Sequence, residues 1–444
     1  MSVIEPSVGR VASLPKGWRA ALGAVSLLWV ATATGAGMAF LTQALLAHEL
    51  GPAFYGLFTS SLAMVSMIAP LAGFGVPQFW LKVYGGEGWA ANRWLPSSRQ
   101  FLVTTTLLTL SIIAVWAFTG APADATATLL LLLPMVLATL AAMLLSSKLR
   151  LEERHQAMAL WQLIAPGSRL LVAVMLLVVP TLAVHFVAAG YGVVSLAVTL
   201  LAAPQMLAML RGDIQLHGHG RRPPPACDDA PTPGPMQLWS QAWAYGLAAV
   251  LYPIFFQIST VLLKYLDGNV EAGIFGIALA VMTAIYLIPA TLYQKFLLSK
   301  LHRWAVHDRT KFWLVYRHGN LAMLVSGVLL AAAVALAAPW LVPLAFGEKY
   351  RAVVPVLLVL ASCIPIRFLS TSVGAALLTE RHMRYRVFAM GLGATVVIVL
   401  NLILIPIYHE LGAAGATVTG EAVLLLSLYA GVQRFHPIAK RLRP

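Results

Sequence analysis

The sequence predicts an all-α integral membrane protein of about twelve transmembrane helices, in two six-helix bundles around a central cavity. Three observations carry that prediction. First, the 444 residues are 60% hydrophobic and only 10% charged, with a mean hydropathy of +0.82. A soluble domain is roughly 45–50% apolar and about 25% charged, so no soluble fold of this size covers the surplus with polar surface. Second, long apolar runs recur along the whole chain, and twelve helices of about 20 residues each would use about 240 residues. Third, Lys and Arg gather in alternate loops. A soluble enzyme, a disordered chain and a nucleic-acid reader are excluded together. Cys227 and Cys363 are too few for a disulfide framework.

Met1 to Gly17 lacks a small-residue cleavage site, so the first apolar run, 18–47, reads as a retained span rather than a signal peptide. Gly, Pro, Arg and short polar groups then divide the chain. The expected spans of the first half continue as 57–81, 100–119, 125–147, 157–179 and 186–210. Residues 211–236 follow as a linker rich in Pro and Gly, including His217-Gly-His219, which lacks a third ligand for a metal. The second half gives 238–263, 273–297, 313–338, 352–378, 387–407 and 412–433. The domains are therefore 1–210, 211–236 and 237–444. The runs are continuous rather than alternating, which excludes a closed β-barrel.

Orientation follows from the short loops. With the N-terminus in the cytoplasm, 25 of the 30 Lys and Arg fall on the cytoplasmic side, from Arg10 and Lys82 through Arg150, Arg211, Lys295 and Arg384 to Arg443. Lys264, Lys349 and Arg351 fall on the other side. A missed helix would invert everything after it, so the asymmetry supports the count. The formal charge of +14 is chiefly a record of topology.

The two halves resemble each other. Glu153-Arg154-His155 follows the fourth span and Glu380-Arg381-His382 the tenth, an offset of 227 shared by Gly120 and Gly347. Gly56-Leu57-Phe58 aligns with Gly273-Ile274-Phe275. Six spans is an even number, so the repeats are parallel, related by an axis along the membrane normal.

His48-Glu-Leu-Gly-Pro-Ala-Phe-Tyr-Gly56 resembles the "LGPxxYG" first-loop signature of Wzx-type polysaccharide-lipid flippases, of the multidrug/oligosaccharidyl-lipid/polysaccharide (MOP) exporter superfamily. Phe346-Gly-Glu-Lys-Tyr350 is similar to its "FGxxY" element, and Leu411-Gly-Ala-Ala-Gly-Ala-Thr417 to its "GxxGAAxAT" element. Leu263 to Ala278 resembles the loop between spans seven and eight but departs from its usual "G-Y-Y-S-x-A". The resemblance covers most of the chain in order. It implies a flippase that moves an undecaprenyl-pyrophosphate-linked oligosaccharide across the bacterial inner membrane by alternating access, for surface polysaccharide assembly. Polysaccharide-assembly partners and membrane lipid around the chain are expected with it; a monomer is expected, and the Lys and Arg bias puts both termini in the cytoplasm. Read physically, the motif glycines serve turns and close helix contact.

Charges at membrane depth are the sharper signal, because an Arg at a helix centre costs roughly 2.5–3.5 kcal/mol on insertion scales. Arg169, in Pro166-Gly-Ser-Arg169, lies near the middle of span five, and Arg367, in Pro365-Ile-Arg367, near the middle of span ten. Either suits bidentate binding of a pyrophosphate; the alternative is a charge paired with a carbonyl or with Glu421. Glu421, in span twelve, is an ion-coupling candidate or that partner. Gln43 and Gln257 are lone polar residues in spans one and seven, suited to a sugar or to another helix. Lys295 snorkels at the cytoplasmic end or recruits an anionic head group. Lys264, Asp267 and Glu271 read as a solvated face.

No phosphate-binding loop, metal cluster or cofactor motif is present in the sequence. Two other readings make different demands on the sequence. A drug exporter of the same superfamily would favour acidic cavity residues for organic cations. A membrane-embedded glycosyltransferase or polymerase would need a long exposed loop with clustered carboxylates, whereas the non-cytoplasmic loops here are short.

Overall fold

The computed structural model describes residues 16–178, 184–216, 231–291, 309–377 and 382–435. Every regular element among them is helical, as a lipid-facing backbone requires. The first half holds α1 (Lys16–Ile68), α2 (Val76–Glu87), α3 (Leu95–Thr119), α4 (Ala123–Leu132), α5 (Pro134–Leu151), α6 (His155–Val178) and α7 (Val184–Arg211). The second holds α8 (Pro235–Leu266), α9 (Asn269–Thr291), α10 (Arg309–Phe346), α11 (Val353–Ala361), α12 (Cys363–Ala375) and α13 (Met383–Phe435). Nine predominantly helical stretches among the described residues are, by length and composition, long and apolar enough to cross a membrane. The stretch Ser26–Thr119 contains three crossings and Met383–Phe435 two, which reconciles nine stretches with twelve spans.

Spans one and two share α1, which turns at Gly51 (φ 73°, ψ 169°). A Cβ strains that backbone, so glycine fits the position. Spans eleven and twelve share α13, which turns at His409 (φ 54°, ψ −134°). Span two differs from its expected continuous helix. It breaks over residues 72–75, where Gly73, Phe74 and Gly75 all take positive φ. The break lets backbone meet backbone: a Cβ on Gly75 would lie 2.4 Å from the Gly246 nitrogen of α8. Spans four and ten are each divided, at Leu133 and at Ser362, in corresponding places of the two halves.

Packing repeats between the halves. Span one packs on span five through α1 and α6, and span seven on span eleven, where Gly391 and Gly393 approach Leu251 and Phe255. Span four packs on span six through α5 and α7, and span ten on span twelve, where Gly374 approaches Leu428. The halves meet along α1 and α9. A Cβ on Gly56 would sit 1.6 Å from the Asn269 carbonyl oxygen, and one on Gly276 would lie 2.8 Å from Thr59. Small residues permit this approach where no hydrophobic effect drives helices together.

The chain has two chemically different ends. Lys82, Arg93, Lys148, Arg154, Arg211, Arg384 and Arg434 lie at one, here called the basic end. There Trp239 of α8 stacks on Phe74 with ring centroids 4.9 Å apart, and the Ser97 hydroxyl donates to the Pro233 carbonyl. Lys148 is buried, bonded to Glu152 at 2.7 Å and to Gln205 at 2.8 Å. Burial of Ile214 and Leu216 fixes the start of the linker against the first half.

Lys264 departs from the expected solvated face. Its side chain is buried at the other end and pairs with Asp124 at 3.7 Å, while Asn269 donates to the same carboxylate at 2.9 Å. Asp124 comes from the other half, so the charge is covered by a partner that the local loop does not contain. Asp267 accepts from His409 at 2.8 Å, which ties the end of span seven to the turn before span twelve.

Candidate substrate pathway

Between the halves lies a cavity of about 210 Å³. Its walls come from α1, α8 and α9. Ala36, Ala39, Phe40 and Gln43 face Gly276, Ala280, Thr283 and Ala284, with Gln257 contributed by α8. Gln43 and Gln257 thus meet at one site from opposite halves, although 214 residues separate them. The Gln43 side-chain oxygen accepts from the Tyr55 hydroxyl at 2.9 Å, which leaves its amide N–H groups able to donate.

Aromatic rings close this cavity toward the end opposite the basic one. Phe40 meets Phe346 edge-on at 5.9 Å, and Tyr55 meets Tyr350 at 6.4 Å. Tyr350 donates to the Ala47 carbonyl at 2.8 Å, and Lys349 donates to the His48 carbonyl. Tyr55 and Tyr350 are fully buried. The sequence motifs marked these tyrosines only as family signature, and nothing in their spacing revealed that the two motifs touch.

Arg169 opens onto a different cavity, of about 500 Å³, inside the first half. Gln78, Thr139, Ser146, Ser147, Arg150 and Gln162 supply its polar wall, and no acidic side chain is among the described residues that line it. The Arg169 Nε is buried without a hydrogen-bond partner among the described residues, and its guanidinium lies 5.1 Å from the Tyr191 ring.

Arg367 sits inside the second half, where its Nη1 pairs with a Glu421 carboxylate oxygen at 3.3 Å. The two side chains are 11% and 1% exposed. The guanidinium is also caged by Phe256 at 4.5 Å, Tyr252 at 5.5 Å and Tyr286 at 5.6 Å, each a cation–π contact. The other Glu421 oxygen is buried without a hydrogen-bond partner among the described residues. The cage was not visible in sequence, because its rings come from α8 and α9. Lys295 and His217-Gly-His219 lie outside the described residues. Among the described residues no group of three or more His, Cys, Asp or Glu is placed to hold a metal ion.

The profile of the polysaccharide biosynthesis protein family matches residues 22–295, more than half of the chain. The chain belongs to that family. It is a multi-pass membrane protein of the MOP exporter superfamily. No curated protein matches this family member. Solved structures do. A lipid II flippase MurJ in an inward closed conformation is similar at TM-score 0.69 and 12% identity, covering 92% of this chain and 87% of that one. An inward-facing multidrug resistance MATE family transporter of the MOP superfamily is similar at TM-score 0.69 and 13% identity, covering 93% and 96%. A MOP superfamily transporter from Pyrococcus furiosus, described as having a binding pocket of reverse polarity, is similar at TM-score 0.54 and 15% identity, covering 96% and 99%. These likenesses give this family member the two-bundle, twelve-span transporter fold.

Proposed function

We propose that the protein is a flippase for an undecaprenyl-pyrophosphate-linked oligosaccharide, which it carries from the cytoplasmic to the periplasmic leaflet of the bacterial inner membrane. The observation that carries this reading is the inter-half cavity, where Gln43 and Gln257 face one space below an aromatic seal. Amides from both halves suit sugar hydroxyls, and a site shared by two rocking bundles is what alternating access needs. At about 210 Å³ the cavity is smaller than the roughly 300–1,000 Å³ of ordinary ligand pockets. An oligosaccharide therefore enters only after the halves part toward the basic end, which the Lys and Arg bias assigns to the cytoplasm. The prenyl tail stays in lipid throughout.

The family description, polysaccharide biosynthesis, supports a lipid-linked glycan as cargo. The membrane potential helps as well: each negative charge moved outward from a negative interior gains roughly 2.3 kcal/mol per 100 mV. In this reading Lys295, on the cytoplasmic side by the Lys and Arg bias of the sequence, recruits the anionic head group. Glu421 serves as counter-ion to Arg367, which it contacts, rather than as an ion-coupling site. The protein works as a monomer with both termini cytoplasmic, beside the enzymes that build and polymerise the glycan.

Export of a drug-like cation is the competing reading. It has no acidic side chain to use among the described residues that line either cavity. Deleting the gene separates the two readings. Lipid-linked repeat units accumulating on the cytoplasmic leaflet, with loss of surface polysaccharide, support the flippase. Normal delivery of repeat units with altered drug tolerance refutes it.

A further inference from the structure

We infer that the cavity inside the first half is a diphosphate-binding site, with Arg169 as its inner ligand and Arg150 at its mouth. The inference rests on the flippase reading above and divides the work between the two intramembrane arginines. Arg367 is already satisfied: a carboxylate and three aromatic rings surround it. Its charge is neutralised locally, so an anion arriving there meets no net positive site. Among the described residues no counter-charge lies against Arg169. Among the described residues it meets a single ring and its Nε lacks a hydrogen-bond partner, and it faces open space.

A buried polar group without a partner is costly, and an unneutralised guanidinium at membrane depth costs more. A ligand that supplies acceptor oxygens relieves both. The chemistry of the walls says which ligand. Arg150, exposed near the end of α5, adds a second cation, and Gln78, Gln162 and Ser146 add hydrogen-bond donors. With no carboxylate on the described lining, the site repels no anion and attracts no cation. About 500 Å³ falls within the ordinary range for a ligand pocket, so a diphosphate fits with one or two sugars beside it. Arginine's planar fork suits phosphate oxygens two at a time. The site lies among α2, α5, α6 and α7, close to the basic end, where a head group from the cytoplasmic leaflet first arrives.

The test uses the full chain, purified into nanodiscs of phosphatidylcholine. Three probes are titrated: inorganic pyrophosphate, undecaprenyl diphosphate and phosphatidylglycerol. Wild type binds the first two, and Arg169→Gln weakens both at least tenfold. Arg150→Gln weakens them severalfold, and an Arg367→Met, Glu421→Met double variant leaves them unchanged. Full affinity in folded Arg169→Gln overturns the inference. So does a loss confined to the Arg367 variant, or phosphatidylglycerol binding as tightly as the diphosphates. Should Arg169→Gln fail to fold, the wild-type protein decides. Pyrophosphate slows modification of Arg169 by an arginine-directed reagent, read by mass spectrometry, and unchanged modification overturns the inference. Diphosphate binding at Arg169 without leaflet accumulation in the deletion strain keeps this site but removes the flippase reading. Accumulation in the deletion strain with normal binding by Arg169→Gln does the reverse.

Discussion

Tyr350 donates a hydrogen bond to the carbonyl of Ala47 at 2.8 Å, across 303 residues of sequence. It joins the element before span ten to the end of span one and so holds the two halves shut above the inter-half cavity. Removing the hydroxyl leaves a buried carbonyl short of a donor and costs about 1 kcal/mol. Tyr350→Phe therefore raises the population of forms open at that end. A cysteine at Ala39, in a background without Cys227 and Cys363, reports it. Its labelling by an impermeant thiol reagent from that side rises severalfold in the variant, and an unchanged rate contradicts the assignment.

Gly56 is held by a neighbour in the other half. A methyl group there would lie 1.6 Å from the Asn269 carbonyl oxygen, and the backbone cannot yield as a flexible side chain does. Gly56→Ala destabilises the protein by about 1–3 kcal/mol or more, seen as a lower melting temperature of the purified chain. Gly37→Ala, at a position with nothing near its Cβ, serves as the control and leaves the melting temperature within a degree or so. Equal behaviour of the two variants refutes the packing.

The buried pair of Arg367 and Glu421 makes opposite demands on single and double variants. Removing either partner strands a charge, at about 3–5 kcal/mol. Replacing both with Met restores most of the stability, because two desolvated charges return little net energy beyond packing. Thermal denaturation of the four proteins checks this. A double variant as unstable as the two singles combined shows that the pair has a role beyond mutual neutralisation.

His409 and Asp267 give one end of the molecule a pH dependence. The hydrogen bond to Asp267, with the nearby negative charges, raises His409 above its ordinary value of 6.5. A raised value means the folded state favours the proton. The contribution is therefore complete below about 6.5 and fades as pH rises through the raised value. The protection factor for hydrogen exchange in residues 264–268 and 408–411, corrected for the intrinsic pH dependence of exchange, rises on acidification in wild type, and His409→Gln flattens that response. A wild-type profile indistinguishable from the variant's contradicts it.

Much of the fold was readable because hydropathy records what lipid demands of every span. Twelve spans followed from residues alone. Faces did not. The apolar run through residues 57–81 concealed the break at Gly73–Gly75, since glycine permits a left-handed backbone without altering hydropathy. Lys264 looked solvated because a charge in a short loop usually is, and its partner Asp124 comes from a distant turn. The pairing of Arg367 with Glu421 was foreseen as one alternative, but the rings around it were not. Arg169 and Arg367 read alike in sequence, as arginines just after a proline. Only three-dimensional placement separates the one facing a cavity from the one already neutralised.

Carriage of a lipid-linked oligosaccharide between leaflets, proposed above, is open to direct measurement. The direct measurement reconstitutes purified protein into vesicles whose labelled undecaprenyl-pyrophosphate-linked oligosaccharide begins in the inner leaflet, and follows its exposure to an impermeant sugar-modifying enzyme outside. Exposure is expected to depend on the protein and to slow at least tenfold in a Gln43→Ala, Gln257→Ala double variant of normal stability. Exposure no faster than in protein-free vesicles would contradict it.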